Sequence, residues 1–257
     1  MSNPNETLGP NSYTTLAPGS DYRHEISIKR SRFITVLRRV QDESQAKDLV
    51  AELRREFYDA RHHCSAFVVG AGRTIQRSND DGEPSGTAGI PMLEALLKRQ
   101  TWPQPGAGVP SKAAVDSNAA ADLSDVCAVV VRYFGGILLG AGGLVRAYSE
   151  SVSSSLERAP LVRRNRMKLY SVGVSHAEAG RLEHDLRSAG YVMTGNGYDA
   201  TSTYVGLAMP DDAAVISTAT ERLAAYTSGS ATLQPVGTDW VDSRYRRPDS
   251  MSGPQNP

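Results

Sequence analysis

The sequence predicts an α+β protein built as two consecutive domains. Short runs rich in Val, Ile, Thr and Tyr, with apolar and polar residues alternating, recur along the chain and mark strands. Between them lie longer windows whose apolar residues return at helical spacing. The length of 257 residues leaves room for one large domain or two modest ones, each with a core of its own.

Residues 1–21 are rich in Asn, Ser, Thr, Pro and Gly, and this composition predicts a flexible tail. From Tyr22, the stretch HEISIKRSRFITVLRRV predicts two strands with Lys29-Arg30-Ser31-Arg32 between them or at a bend. Over Glu43 to Tyr58, Ala46, Leu49, Val50, Leu53 and Phe57 share one stripe, so an amphipathic helix is expected. Cys64 to Val69 reads as a buried strand, and Thr74 to Ser78 as its returning partner. Ile90 to Arg99 has helical spacing, with Ser85 or Thr87 as the N-cap. The Pro-, Gly- and Ala-rich segment 102–122 is a loop insertion, read as a surface excursion. Val126 to Phe134 is the most hydrophobic strand and is expected to be central. A glycine-rich turn and a helix to about Ala159 complete an N-terminal domain over 22–162.

After a basic link at Leu161 to Arg166 the pattern changes. Lys168 to Val174 alternates as a strand, and Ser175 with Glu178 makes a capping box for a helix ending at Gly190. Tyr191 to Thr194 and Tyr204 to Met209 read as strands across a Gly-Asn-Gly region. A helix over Asp211 to Tyr226 and a strand over Ala231 to Val236 follow. That order, βαββαβ over 166–237, is the ferredoxin-like pattern. Residues 238–257 read as a second flexible tail, with the basic cluster Arg244 to Arg247 inside it.

Composition excludes several functions. Lys+Arg and Asp+Glu stand at 28 each, so no global field draws the chain to nucleic acid or membrane. Cys64 and Cys127 are the only cysteines, too few for a disulfide framework. The start has neither a basic nor an apolar signal region, and no apolar run reaches the about 18 residues a membrane span needs. A cytoplasmic protein with no membrane partner is expected.

The stretch with most chemistry is SNDDGEPSGTAGIPM at Ser78 to Met92. Ser85, Gly86 and Thr87 lead into a helix N-terminus, whose free N–H groups and dipole favour an anion. Asp80, Asp81 and Glu83 lie just upstream, where they could hold a divalent cation, act as acid and base, or simply form the turn. A second glycine-rich segment, Gly135-Gly136-Ile137-Leu138-Leu139-Gly140-Ala141-Gly142-Gly143, lacks the P-loop ending and the dinucleotide spacing. Its glycines serve either close packing or an anion cradle; Arg132 before it and Arg146 after it suit the second. His62 and Cys64 share one strand face and His63 takes the other. Neither a Cys–His nucleophile pair nor a zinc site follows from that spacing.

Four motifs carry a family resemblance: SRF at Ser31–Phe33, ARHHCSA at Ala60–Ala66, DDGEPSGTAGIPML at Asp80–Leu93, and VVVRYFGGILLGAGGLVRAY at Val129–Tyr148. The sequence resembles the YigZ/IMPACT family, bacterial two-domain type, over most of residues 22–160. The resemblance implies an N-terminal α/β domain shaped like the second domain of the fifth small-subunit ribosomal protein. It also implies a ferredoxin-like C-terminal domain like one in elongation factor G. Eukaryotic members regulate translation under amino-acid stress through an additional N-terminal domain, for which this chain has no room, so that role is not transferred. The segment 102–122 departs from the family, where a shorter connection is usual, and Asn79 departs from its Ser-Asp-Asp start.

Three functions are expected from these readings. The first is an RNA- or ribosome-associated binding protein with a translation-related regulatory role. Its groove would be made by the two glycine-rich helix starts, with Arg132, Arg146 and His62 or His63 on phosphates. The second is an enzyme acting on a phosphorylated or nucleotide-like small molecule, using Asp80, Asp81 and Glu83, with or without a divalent cation. The third is a protein-binding module. No nucleophile and base are close enough in pattern to name a reaction or to decide that the protein is an enzyme.

Overall fold

The computed structural model describes residues 11–99 and 122–243. Most of the expected insertion 102–122, the beginning of the chain and the segment from 244 onward lie outside the described residues. What is described divides into two units, one ending at Arg163 and one spanning Arg164–Ser243. Both mix strands and helices, and the protein is of the α+β class.

In chain order the first unit contains β1 (Ser12–Leu16), β2 (Tyr22–Ile28), β3 (Ser31–Arg39), α1 (Glu43–Glu56), β4 (His62–Val69) and β5 (Ile75–Asn79), then α2 (Gly89–Lys98), β6 (Val126–Tyr133) and α3 (Ala141–Arg158). Its main sheet has the order β2-β3-β6-β4-β5, with every neighbouring pair antiparallel. The β2–β3 hairpin closes through Lys29 and Arg30, both at positive φ, so the basic bend is a turn that non-glycine residues enter at some cost. β6 is central, as its unbroken apolar run predicts, because it is buried on both faces. Ala128 and Val130 join Phe33, Leu37, Cys64, Met92, Leu96, Leu144 and Tyr148 in one core, under α2 and α3. Cys127, Val129 and Val131 join Leu49 and Leu53 of α1 in the core on the other face. Truncating Leu49 to Ala would cost about 2–5 kcal/mol through lost burial and the cavity left behind.

The strand register sets the site. Phe33 of β3 pairs with Arg132 of β6, and Arg132 pairs with His62 of β4. These three side chains therefore form one row across the sheet, on the face that α2 and α3 cover.

Two parts of the first unit differ from the sequence expectation. The predicted tail 1–21 contains β1, which buries Tyr13 and Leu16; the Tyr13 hydroxyl donates to Asp125, and Ala17 N–H donates to the Pro160 carbonyl at 2.9 Å. Tyr13, Thr14 and Thr15 supply the strand propensity that the polar composition masked. The predicted basic link is the start of β7 (Leu161–Ser175), and Arg163 is held by Asp122, Thr14 and Ser12.

The second unit runs β7, α4 (His176–Ser188), β8 (Val192–Tyr198), β9 (Ser202–Met209), α5 (Ala213–Thr227) and β10 (Gln234–Ser243), with strand order β10-β7-β9-β8. The capping box of α4 forms as predicted from Ser175 and Glu178. Leu182, Leu186, Val205, Leu207 and Leu223 centre its core. β8 continues through Gly195-Asn196-Gly197 instead of stopping before it, and the turn sits at 199–201, where Asp199 accepts the Thr201 and Ser202 N–H groups. Glycine is needed where β9 faces this run of β8: a Cβ on Gly206 would lie 2.5 Å from the Gly195 carbonyl oxygen. The last strand lies later than predicted, at Gln234–Ser243 instead of Ala231 to Val236, so the segment 238–257 begins as strand.

Candidate functional site

The site begins with the turn between β5 and α2. Asp80 reaches forward from it, and its carboxylate accepts N–H groups from Gly86 at 2.8 Å, Ala88 at 3.0 Å and Gly89 at 2.7 Å. Those are the free donors of the α2 N-terminus, so the anion that this helix start binds is the chain's own carboxylate. Burial pushes the Asp80 carboxyl up, but the donors of Gly86, Gly89 and Ala88 outweigh it and hold it below the usual carboxylate range. Ser85 is exposed, Thr87 donates to the Pro84 carbonyl at 2.6 Å, and the N-cap position is Ala88 with no side-chain cap of its own. Neither predicted cap residue caps the helix. Sequence spacing favoured a local hydroxyl, whereas a folded turn brings a carboxylate from farther back.

Asp81, at positive φ, turns the other way. Its carboxylate accepts the His63 backbone N–H at 2.6 Å and pairs with Arg54 of α1. Glu83 points inward, with its side chain only 4% exposed. Its Oε1 accepts Arg132 Nη1 at 2.5 Å and the Tyr148 hydroxyl at 2.8 Å. The three acids thus serve three separate sets of partners and do not converge. Among the described residues no three His, Cys, Asp or Glu side chains are placed to hold a metal ion.

Arg132 is 7% exposed, and its guanidinium lies 5.5 Å from the Phe33 ring centroid and 5.8 Å from that of Phe134. Its charge is balanced by Glu83, so it braces the site from below instead of standing open to solvent. His62 sits beside this pair. Its Nδ1 is 2.9 Å from the Asp81 carbonyl oxygen and its Nε2 is 4.0 Å from Glu83 Oε1. His63 faces the α1 side, 6% exposed, and burial pushes its pKa down against the pull of Asp81. Strand alternation separates the two histidines, and only His62 shares a face with Arg132. The Cys64 thiol lies 2.9 Å from the Asp80 carbonyl and 3.3 Å from the Tyr148 hydroxyl, and burial pushes its pKa up to about 12. It is a packed thiol, not a nucleophile.

The second helix start is different. Gly140, at φ 72°, turns the chain into α3, and no side chain caps Ala141, Gly142 and Gly143. A Cβ placed on Gly140 or Gly142 would meet nothing within 4 Å. Leu138 is 82% exposed, Phe134 and Ile137 are also exposed, and Arg146 lies exposed on the next turn of α3. Gly135 has another role: a Cβ there would lie 2.1 Å from the Arg30 carbonyl carbon, so it permits the loop to cross the β2–β3 bend. Gly136 is at positive φ in open space. The segment therefore divides into a packing half and an open half.

Tyr148 and Arg54 were not among the predicted site residues. Tyr148 shares a helical stripe with Leu144 and Val152 and reads as core by that spacing, yet a buried hydroxyl needs a partner. That need is the signal which could have found it. The Arg54 contact joins elements that are distant in sequence, and nothing local announces it.

The Impact N-terminal domain family model matches residues 29–104 and 103–156. IMPACT family member YvyE of Bacillus subtilis (strain 168) is 41% identical over 182 residues, covering 71% of this chain and 73% of its own. IMPACT family member YigZ of Escherichia coli (strain K12) is 36% identical over 211 residues, covering 81% of this chain and 91% of its own. A crystal structure of a hypothetical protein matches 88% of this chain and 98% of its own, with a TM-score of 0.53 and 32% identity. Similarity of this extent reaches well past the glycine-rich segments and into both units, and the chain belongs to the IMPACT family.

Proposed function

We propose that this protein binds RNA, free or in the ribosome, and acts in the cytoplasm as a regulator of translation. One observation carries the reading: of its two glycine-rich helix starts, α2 is filled by Asp80, whereas α3 opens to solvent with no side-chain cap. Three backbone donors at the positive end of a helix, with Arg146 one turn away, suit a phosphate. The βαββαβ element order and the strand order β10-β7-β9-β8 support reading the second unit as ferredoxin-like. The shape of the first unit, read as the second domain of the fifth small-subunit ribosomal protein, adds analogy only.

The enzyme reading needs Asp80, Asp81 and Glu83 as free groups, and each is engaged within the protein. That weighs against a carboxylate-held cation and leaves a phosphorylated small molecule as a ligand of the same α3 cradle. The test is the affinity of a fluorescent single-stranded RNA at low and moderate salt. Binding that weakens steeply with salt supports the reading. No binding at low salt would sink it, and stabilisation by a phosphorylated small molecule alone would move the function to that ligand class.

A further inference from the structure

The β2–β3 bend and the glycine-rich loop after β6 form one surface. Gly135 lies against the bend: a Cβ there would collide with the Arg30 carbonyl, and its N–H donates to Ser31 Oγ at 3.2 Å. Farther along the loop, Leu139 packs against the core under α2 and α3, and a Cβ on Gly143 would meet the Leu139 Cβ at 3.1 Å. The loop is thus pinned at both ends, while its middle faces water. Leu138 is 82% exposed, Phe134 52% and Ile137 41%, so large apolar side chains cluster in one short exposed stretch. Beside them, Lys29 and Arg30 are the two central residues of the bend, both exposed and at φ 46° and 65°. A two-residue hairpin turn of that hand takes Asn-Gly most easily, so local backbone physics gives no reason for two cations there. Among the described residues neither cation has an acidic partner.

We propose that this surface docks an acidic, amphipathic segment of a partner protein. The segment's apolar side chains cover Phe134, Ile137 and Leu138, and its carboxylates meet Lys29 and Arg30. Charge complementarity selects that occupant: two unpaired cations border the apolar patch, and an apolar centre with a charged rim is the anatomy of a protein interface. A loop already pinned at both ends loses little freedom when it is covered. Single-stranded RNA suits the patch less well, because Ile137 and Leu138 have no π face on which a base stacks. An anionic bilayer is held by larger basic clusters, and the chain's formal net charge of +0 gives no long-range pull toward one. Neither the α3 N–H groups nor Arg146 takes part, so the surface is separate from the proposed phosphate cradle.

Fluorescence anisotropy of the full chain at low salt tests this with a labelled helical peptide, Leu at every third or fourth position and Glu elsewhere. Its control carries Lys in place of every Glu. Wild type should bind the Glu/Leu peptide and discriminate against the Lys/Leu peptide by about tenfold or more. Leu138→Ser, and separately the double change Lys29→Glu with Arg30→Glu, should each weaken binding of the Glu/Leu peptide about tenfold. All three positions are exposed, and melting temperatures would confirm that the variants fold. No binding of the Glu/Leu peptide by wild type, or equal binding of both peptides, would overturn the docking surface. So would unchanged affinity in both folded variants. The same variants would be tested with a labelled RNA and with phosphatidylcholine vesicles containing phosphatidylglycerol. Vesicle or RNA binding that Leu138→Ser abolishes, with the peptide unbound, would assign the patch to that ligand and overturn the proposal. RNA binding that survives in Leu138→Ser while the peptide fails would overturn this surface alone and leave the phosphate reading intact.

Discussion

The Asp80 carboxylate accepts the Gly89 backbone N–H at 2.7 Å, so a residue nine positions upstream fills the start of α2. The same carboxylate holds Gly86 and Ala88, which makes it both a cap for the helix and the tie that closes the acidic turn. Removing it leaves three donors without their acceptor. Asp80→Ala should therefore lower stability by about 1–3 kcal/mol, read from the midpoint of urea unfolding. Unchanged stability would mean that the turn is not held this way.

Asp80 also predicts an acid limb. Its folded pKa lies below the ordinary aspartate value, so its contribution is complete above the unfolded carboxylate pKa and is lost as pH falls through the folded value. The difference in melting temperature between wild type and Asp80→Asn should shrink below about pH 4. A difference that persists undiminished to pH 2 would contradict the assignment.

His63 governs a second window. Burial depresses its pKa below the ordinary histidine value of 6.5, so the folded state prefers the neutral ring. The stability it confers is full above pH 6.5 and declines as pH falls below that value. Replacing it by Leu should flatten this part of the curve of melting temperature against pH. A His63→Leu curve parallel to wild type between pH 7 and 5 would refute the claim.

The Glu83–Arg132 pair should behave as a buried ion pair. Glu83→Leu leaves Arg132 without its counter-charge and should cost about 3–5 kcal/mol. Adding Arg132→Met to that variant should recover much of the loss, because the uncompensated charge is gone. A double-mutant cycle in urea measures this directly. Additive losses would show that the two side chains are not coupled.

How much of this was readable in the sequence depends on the range of the interaction. β6 was legible because a strand buried on both faces must be apolar throughout, and Val126 to Val131 is. The α4 capping box was legible because Ser175 and Glu178 are three residues apart. The separation of His62 from His63 followed from strand alternation alone. The α2 cap was misread because Asp80 reaches it through a turn at positive φ, which Asp81 and Gly82 create and no propensity scale contains. β1 was missed because its stability comes from Asp125 and the chain at Pro160, far away in sequence. The two helix starts were half legible. Both glycine-rich helix starts looked equivalent, and the fold distinguishes them by filling one.

That distinction is the central claim, and phosphate-backbone binding tests it most directly. Gly142→Asp would place a carboxylate over the free donors of α3, where a side chain meets no obstruction; Ser85→Asp would do the same beside the filled start of α2. Anisotropy with one labelled RNA at low salt would be measured for both variants, with melting temperatures confirming that each folds. Gly142→Asp should lose binding by about tenfold or more while Ser85→Asp retains most of it. Loss confined to Ser85→Asp, or no loss in either, would contradict it.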